Sequence, residues 1–161
     1  MDKEYFDILA KVRVERAEEL LKESQNLLSA GSFKSANNRA FYAIEKCVKA
    51  LLATKEIDAA THNGALKQFN FLFIYKGNGC FSSDDYQIIA KAEQIRNASD
   101  YDDFYIASKE ETRQQVENAA YFVRKVKEYL NTVAEKIDSQ NEKKYRNQVI
   151  DLLTKAKKKQ K

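Results

Sequence analysis

Proline and tryptophan are absent from this 161-residue chain, glycine occurs four times and histidine once. Proline and glycine are the main breakers of helix interiors, so their scarcity leaves continuous helix as the least costly backbone state. No apolar run approaches the roughly 20 residues that a membrane-spanning helix needs. The longest, Phe69 to Tyr75, is short and contains Asn70. The start MDKEYFDILAK is acidic and mixed, unlike the basic and then apolar regions of a signal peptide. Two cysteines do not make a disulfide framework in a chain this size, and with one histidine they do not make a zinc set. Cys47 falls on an apolar helical face and reads as a small core residue. The expectation is a soluble, cytoplasmic protein with a core of its own and no membrane association.

Charge is unevenly spread. The chain is +4 overall, but residues 138–161 carry eight basic and three acidic residues, a net +5. Residues 1–137 are left at −1. The body is near neutral and the tail is the basic element.

Five helices joined by polar turns are expected. The first runs from about Lys3 to Ser29, where Leu20, Leu21, Ser24, Leu27 and Leu28 give the i, i+3/i+4 stripe of an amphipathic helix. Gly31 and Ser32 suit the stop and the next start. The second, Phe33 to roughly Lys55, is the most apolar and is expected at the centre. A third segment starts at Thr61 and runs through Leu66, Phe69 and Phe73 to Tyr75, where Gly77-Asn78-Gly79 breaks it. Ser82 with Asp85 resembles a capping box for a fourth helix, Asp84 to Arg96 or slightly beyond. Ser108 with Glu111 makes a fuller one for the fifth. Val116, Ala119, Ala120, Val123, Val126, Leu130, Val133 and Ile137 trace one face of that fifth helix. The expected fold is an all-α, up-and-down helical bundle over residues 1–137, followed by a basic tail, 138–161. In the tail, Tyr145, Val149, Leu152 and Leu153 suit a weak amphipathic helix, and Lys155 to Lys161 is expected to be disordered.

On this plan residues 98–107 form the longest polar connection of the body, and loops on a rigid scaffold are where function concentrates. Arg96 precedes it, in the stretch Arg96-Asn97-Ala98-Ser99-Asp100-Tyr101-Asp102-Asp103. An arginine at a helix end holds phosphate or carboxylate bidentately and stays charged at any working pH. Arg96 and Asp100 are also four apart, so a simple surface pair worth about 0.3–0.5 kcal/mol is the competing reading. The aspartates are the kind of ligand hard cations use. Aspartates at a helix end and turn are commoner than sites, however, and neither a metal nor a cofactor is expected.

The segment Ser35-Ala36-Asn37-Asn38-Arg39-Ala40-Phe41-Tyr42-Ala43-Ile44, followed by Ala50-Leu51-Leu52, resembles the second-helix signature of the HEPN superfamily of nucleotide-binding helical bundles. Thr61-His62-Asn63-Gly64, Arg96…Asp100-Tyr101 and Ser108-Lys109-Glu110-Glu111 resemble further landmarks of a small stand-alone branch, in the same order over about residues 5–137. The resemblance implies a metal-independent ribonuclease of a toxin–antitoxin pair, partnered by an antitoxin or a small nucleotidyltransferase. It also implies a homodimer in which two copies of an arginine, four-to-six residues, histidine motif meet. In that chemistry a 2′-hydroxyl attacks the adjacent phosphate, histidine moves protons and arginine stabilises phosphoryl charge.

This chain departs from the motif where it matters most. With four residues between them, Arg96 is followed by Tyr101, in the histidine's place. With an ordinary pKa of about 10 against ~6.5 for histidine, tyrosine is a poor base at neutral pH. It can still donate a hydrogen bond or stack on a base. Any histidine chemistry must run through His62, at the start of the third helix, where a capping or packing role is the alternative. Arg39, inside the most apolar helix, needs a partner, and Asp100 is the expected one. The candidate site is therefore Arg96, Tyr101 and His62 for catalysis, and Arg96, Arg39 and Asp100 for phosphate or nucleotide. Lys155, Lys157, Lys158 and Lys159 are a candidate RNA-binding arm or a solvated end. An RNA-acting protein is the first expectation. A non-catalytic module that binds a nucleotide or a nucleotidyltransferase is the second, and a scaffold without pocket chemistry is the third.

Overall fold

The near absence of helix breakers is realised as helix along most of the chain. The computed structural model describes residues 2–159. Five α-helices follow in order: α1 (Lys3–Ser29), α2 (Phe33–Ala53), α3 (His62–Phe69), α4 (Ser83–Tyr101) and α5 (Lys109–Lys159). A six-residue π-helical segment, Asn70–Tyr75, follows α3 directly. No strand occurs among the described residues. The chain divides into two compact units, one ending at Lys127 and the other beginning at Glu128.

In the first unit α2 is the central helix, as its composition suggests. It packs along α1 and touches α3 and α4. Ala36, Ala40, Phe41, Ala43, Ile44, Cys47, Val48, Leu51 and Leu52 are all buried. From α1, Phe6, Ala10, Val14, Ala17, Leu20 and Ser24 are buried, a strict helical stripe. The first part of α5 contributes Val116, Ala119, Phe122, Val123 and Val126. An aromatic cluster closes one region of the core. Phe69 lies 5.7 Å from Phe73, 5.6 Å from Phe81 and 6.2 Å from Phe122, ring centre to ring centre. Such rings bury large area and add about 0.5–1.5 kcal/mol per well-placed pair.

The boundaries differ from the sequence reading in several places, each with a physical cause. Helix α2 stops at Ala53, and Glu56 in the turn after it adopts a left-handed φ of 60°. The third segment is not one α-helix: its second half is wound as π-helix, with Phe73 stacked on Phe69 within the aromatic cluster. Gly77, just beyond, cannot carry a side chain, since a Cβ there would collide with the carbonyl of Phe73. Helix α4 does not end near Arg96 but continues to Tyr101, so the true connection is 102–108.

The caps also trade places. At α4, Ser82 N–H donates to Asp85 Oδ2 at 2.9 Å, the reach-back arm of a capping box. At α5, Glu111 N–H donates to Ser108 Oγ at 3.1 Å, but the Glu111 carboxylate is taken by the Tyr105 hydroxyl.

The second unit is helical throughout its described length. Lys155, Lys157, Lys158 and Lys159 continue α5 rather than unwinding as the charge run suggests, and Lys161 lies outside the described residues. No helix among the described residues is long and apolar enough to cross a membrane.

Candidate functional site

The site is built where the last turn of α4 lies against the first half of α2. Asn37 Nδ2 donates to Ser99 Oγ at 3.1 Å, and Asn38 Nδ2 donates to Asp100 Oδ2 at 2.8 Å. These two bonds explain why α4 runs past Arg96. Asn, Ser and Asp disfavour helix interiors because they compete for the backbone, but here their side chains are engaged across the helix pair.

Arg96 is held by aromatic faces rather than by a strong ion pair. Its guanidinium carbon lies 4.6 Å from the centre of the Phe41 ring, 5.5 Å from Tyr42 and 6.0 Å from Tyr101. Cation–π contacts of this kind contribute about 0.5–2 kcal/mol, more as they are desolvated. Its Nη1 is 4.0 Å from Asp100 Oδ2, and the side chain is only 14% exposed. The buried Nε has no hydrogen-bond partner.

An open depression lies beside it. Helix α2 lines it with Lys34, Ser35, Asn38 and Arg39, and α4 with Ser99, Asp100 and Tyr101. Tyr101 is 74% exposed. The expected Arg39–Asp100 pair does not form. Arg39 Nε instead donates to Glu23 Oε2 of α1 at 3.1 Å, and its Nη1 to Asn38 Oδ1 at 2.6 Å. Asn38 thus stands between the two charges, its amide nitrogen on Asp100 and its oxygen on Arg39. The reason is helical geometry. Neighbouring residues point about 100° apart, so Asn38 faces α4 while Arg39 turns toward α1.

His62 is elsewhere in the first unit. Thr61 caps α3 by accepting from Gly64 N–H at 3.0 Å, which sets His62 as the first helical residue. Its Nδ1 is 3.6 Å from Glu45 Oε2 and its Nε2 is 3.2 Å from Glu93 Oε2, with 17% of the side chain exposed. Both approaches are within ion-pair reach, yet neither is aligned as a hydrogen bond. The ring also meets Phe41 edge-on at 5.0 Å. Phe41 is therefore touched by both His62 and Arg96, but His62 does not line the depression.

The structure thus brings Arg96, Arg39, Asp100 and Tyr101 into one region and puts His62 into a separate carboxylate pair. Lys155, Lys157, Lys158 and Lys159 are exposed on α5 in the second unit. Among the described residues no group of three or more His, Cys, Asp or Glu side chains is arranged to hold a metal ion. Sequence reasoning missed Lys34, Ser35, Asn38 and Ser99 as lining residues. The signal for Asn38 was present: two successive asparagines inside the most apolar helix need partners there.

The connection after the site is firmly tied. Phe104 N–H donates to Asp102 Oδ1 at 3.0 Å, an Asx-type turn, and Tyr105 N–H donates to the Asp102 carbonyl at 3.2 Å. The pKa of the Tyr105 hydroxyl is pushed up to about 12 by burial first, then by its hydrogen bond to Glu111 and the charge of that carboxylate.

Comparison with known proteins bears on the family and the fold. The HEPN domain family model matches residues 10–133. The chain is 35% identical over 117 residues to "Putative toxin MJ0142" of Methanocaldococcus jannaschii, covering 73% of this chain and 78% of that protein. It is 31% identical to "Putative toxin MJ0605" of the same organism, over 74% of this chain and 87% of the other. The crystal structure of TT1696 from Thermus thermophilus superimposes with a TM-score of 0.62 at 20% identity, over 74% of this chain and 96% of that one, which is a likeness of fold alone. A helical bundle matched over these residues, with two toxin-named relatives above 30% identity, identifies the chain as a member of the HEPN domain family.

Proposed function

We propose that this protein acts on RNA as a toxin-type HEPN protein, with the α2–α4 depression and Arg96 as its site. One observation carries the reading: an open depression with cations at Lys34 and Arg39 and an exposed Tyr101 ring, backed by the Arg96 guanidinium. Cationic groups bind the phosphate backbone, and aromatic faces take up unstacked bases. The toxin names of the two relatives support the same direction. An antitoxin or nucleotidyltransferase would be the partner of such a toxin. A homodimer belongs to the same reading, and a monomeric mass by light scattering from an RNA-active protein would remove it.

Whether RNA is cut is the finer step. Cleavage without a metal needs a base for the 2′-hydroxyl and charge stabilisation at the phosphate. Arg96 suits the second role. For the first, a tyrosine hydroxyl is in general a poor base at neutral pH, and His62 lies against Glu45 and Glu93 away from the depression. That placement of the single histidine favours the second reading, a non-catalytic HEPN module that binds a nucleotide or a partner at the same place.

The deciding experiment is a cleavage assay in EDTA on a mixed pool of tRNA and messenger RNA, comparing wild type with Arg96→Ala. Cleavage lost in the variant supports a metal-independent ribonuclease. No cleavage by well-folded wild type transfers the conclusion to the binding module.

A further inference from the structure

A carboxylate in a phosphate-binding depression raises the cost of the ligand it is meant to hold, unless it serves another part of that ligand. Asp100 is such a carboxylate. It lines the depression with Lys34 and Arg39, and its own pairing is weak, with the Arg96 Nη1 4.0 Å away. We infer that Asp100 is the ribose reader of this site: its free carboxylate oxygen accepts a hydrogen bond from a sugar 2′-hydroxyl while Lys34 and Arg39 hold the adjoining phosphate, so that the depression selects RNA over DNA. The inference rests on the RNA-acting reading and names what that reading lacks, the group that distinguishes the sugar.

Three features support it. First, the carboxylate is fixed. A chain of bonds runs from Glu23 to Arg39 Nε, from Arg39 Nη1 to Asn38 Oδ1, and from Asn38 Nδ2 to Asp100 Oδ2. It holds Oδ2 toward α2 and leaves Oδ1 without a hydrogen bond among the described residues. A pre-positioned acceptor loses little entropy when it binds.

Second, the cations remain usable. Lys34 makes no ion pair among the described residues, and the Arg39 bonds occupy Nε and Nη1 while Nη2 is unengaged.

Third, the adjacent Tyr101 side chain is largely open to solvent, with the Arg96 guanidinium 6.0 Å from its ring centre. Phosphate, sugar hydroxyl and base therefore have separate neighbours within one depression. Ser99, which also lines the depression, accepts from Asn37 through its hydroxyl oxygen. The 2′-hydroxyl is both donor and acceptor and is the group that lets a protein tell RNA from DNA at a given position. A carboxylate is its strongest acceptor.

The test is fluorescence anisotropy with labelled single-stranded RNA and DNA of one mixed sequence and equal length, at fixed salt, on wild type, Asp100→Ala and Lys34→Gln. Wild type should bind RNA about ten- to a hundredfold more tightly, the range of one hydrogen bond to a charged acceptor. In Asp100→Ala the two affinities should converge. In Lys34→Gln both should fall together with a shallower salt dependence, by about one in slope. Asp100→Ala also loses its bond from Asn38, so RNA substituted with 2′-O-methyl groups, tested on wild type, provides a readout free of folding effects. That probe should bind like DNA.

Equal binding of RNA and DNA by wild type overturns the ribose inference and leaves the RNA-acting reading to the cleavage assay. Preference for RNA that survives in Asp100→Ala overturns the assignment to this residue. Binding of neither nucleic acid by folded wild type overturns both the inference and the RNA-acting reading.

Discussion

Removing the Asp85 carboxylate should be among the most damaging single changes to the first unit, although the residue lies at a helix start where exposed acids are common. Asp85 is 1% exposed. Its Oδ1 accepts from the Tyr121 hydroxyl at 2.9 Å, and its Oδ2 accepts from Lys125 Nζ at 2.8 Å and from Ser82 N–H at 2.9 Å. The site joins the start of α4 to the first third of α5, through residues 36 to 40 apart in sequence.

Breaking a buried ion pair from one side costs about 3–5 kcal/mol, because a charge is left uncompensated. Here Lys125 keeps 27% of its side-chain exposure, so part of its charge can be rehydrated and the lower end applies. About 1 kcal/mol of that figure is the lost helix cap. We expect Asp85→Ala to destabilise by about 3 kcal/mol, which for a chain of this size lowers Tm by roughly 6–12 °C. The assay is thermal and urea unfolding followed by far-UV circular dichroism. Asp85→Asn, which keeps the acceptor for Tyr121 and loses the charge, should fall between wild type and Asp85→Ala.

The titration of Lys125 supplies a cross-check. Burial works against its charge, but the hydrogen bonds to Asp85 and Tyr121 and their charges outweigh it, and its pKa is raised. A raised folded-state pKa means stability that is full below the ordinary lysine value and is lost as pH climbs above it. In Asp85→Ala that alkaline loss should shrink. A Tm for Asp85→Ala within about 1 °C of wild type would refute the reasoning, since it would mean that water replaces all three bonds without the cost a buried pair carries.

Two other predictions concern titratable groups. Cys47 is fully buried, and its thiol is pushed far up by burial and then by the charge of Glu18, whereas Cys80 is exposed. A thiol reagent should therefore count one cysteine in the native protein and two after unfolding, because the thiolate is the reactive form; two in the native state would contradict the packing of α2. Tyr105, with its pKa raised from 10 to about 12, stabilises the fold while neutral. That contribution is full below about pH 10 and is lost as pH rises toward 12. Tyr105→Phe should flatten the fall of Tm across that window relative to wild type, and a parallel fall in both proteins would sink the assignment.

Local pattern suffices where one helix face meets one core. The ends of α1 are legible because Leu20 and Ser24 continue a stripe that Gly31 closes. Helix ends stop being legible where a contact between distant elements overrides local preference. Asn97, Ser99, Asp100 and Asp102 read as the dissolution of a helix, because each is a weak helix former. Asn37 and Asn38, some 62 residues earlier, accept the cost of sitting in an apolar helix in order to engage Ser99 and Asp100. Each half of that arrangement looks like a local violation when read alone. Together they account for the extra helical turn, and no short window of sequence contains both halves. The π-helical turn is a second case. The spacing of Phe69 and Phe73 suits an α-helix equally well, and the rings they meet, Phe81 and Phe122, lie outside that segment.

The same logic separates the roles of the two arginines, which the sequence presents as alike. Both are candidates for phosphate on residue type alone. Arg96 is enclosed by Phe41, Tyr42 and Tyr101 with little of its surface exposed, so little of it is open to a ligand, and its replacement must also disturb the aromatic faces it supports. Arg39 is more exposed and lies at the rim, tied through Asn38 to Asp100. A loss of activity in Arg96→Ala therefore mixes a ligand effect with a packing effect. A loss in a rim variant such as Lys34→Gln is freer of that mixture, because the side chain is exposed and makes no ion pair among the described residues. Asp100 sits at the junction, a carboxylate anchored on one oxygen and open on the other. For that reason the comparison of ribose with deoxyribose, made on unaltered protein, isolates recognition from folding more cleanly than any substitution at either arginine.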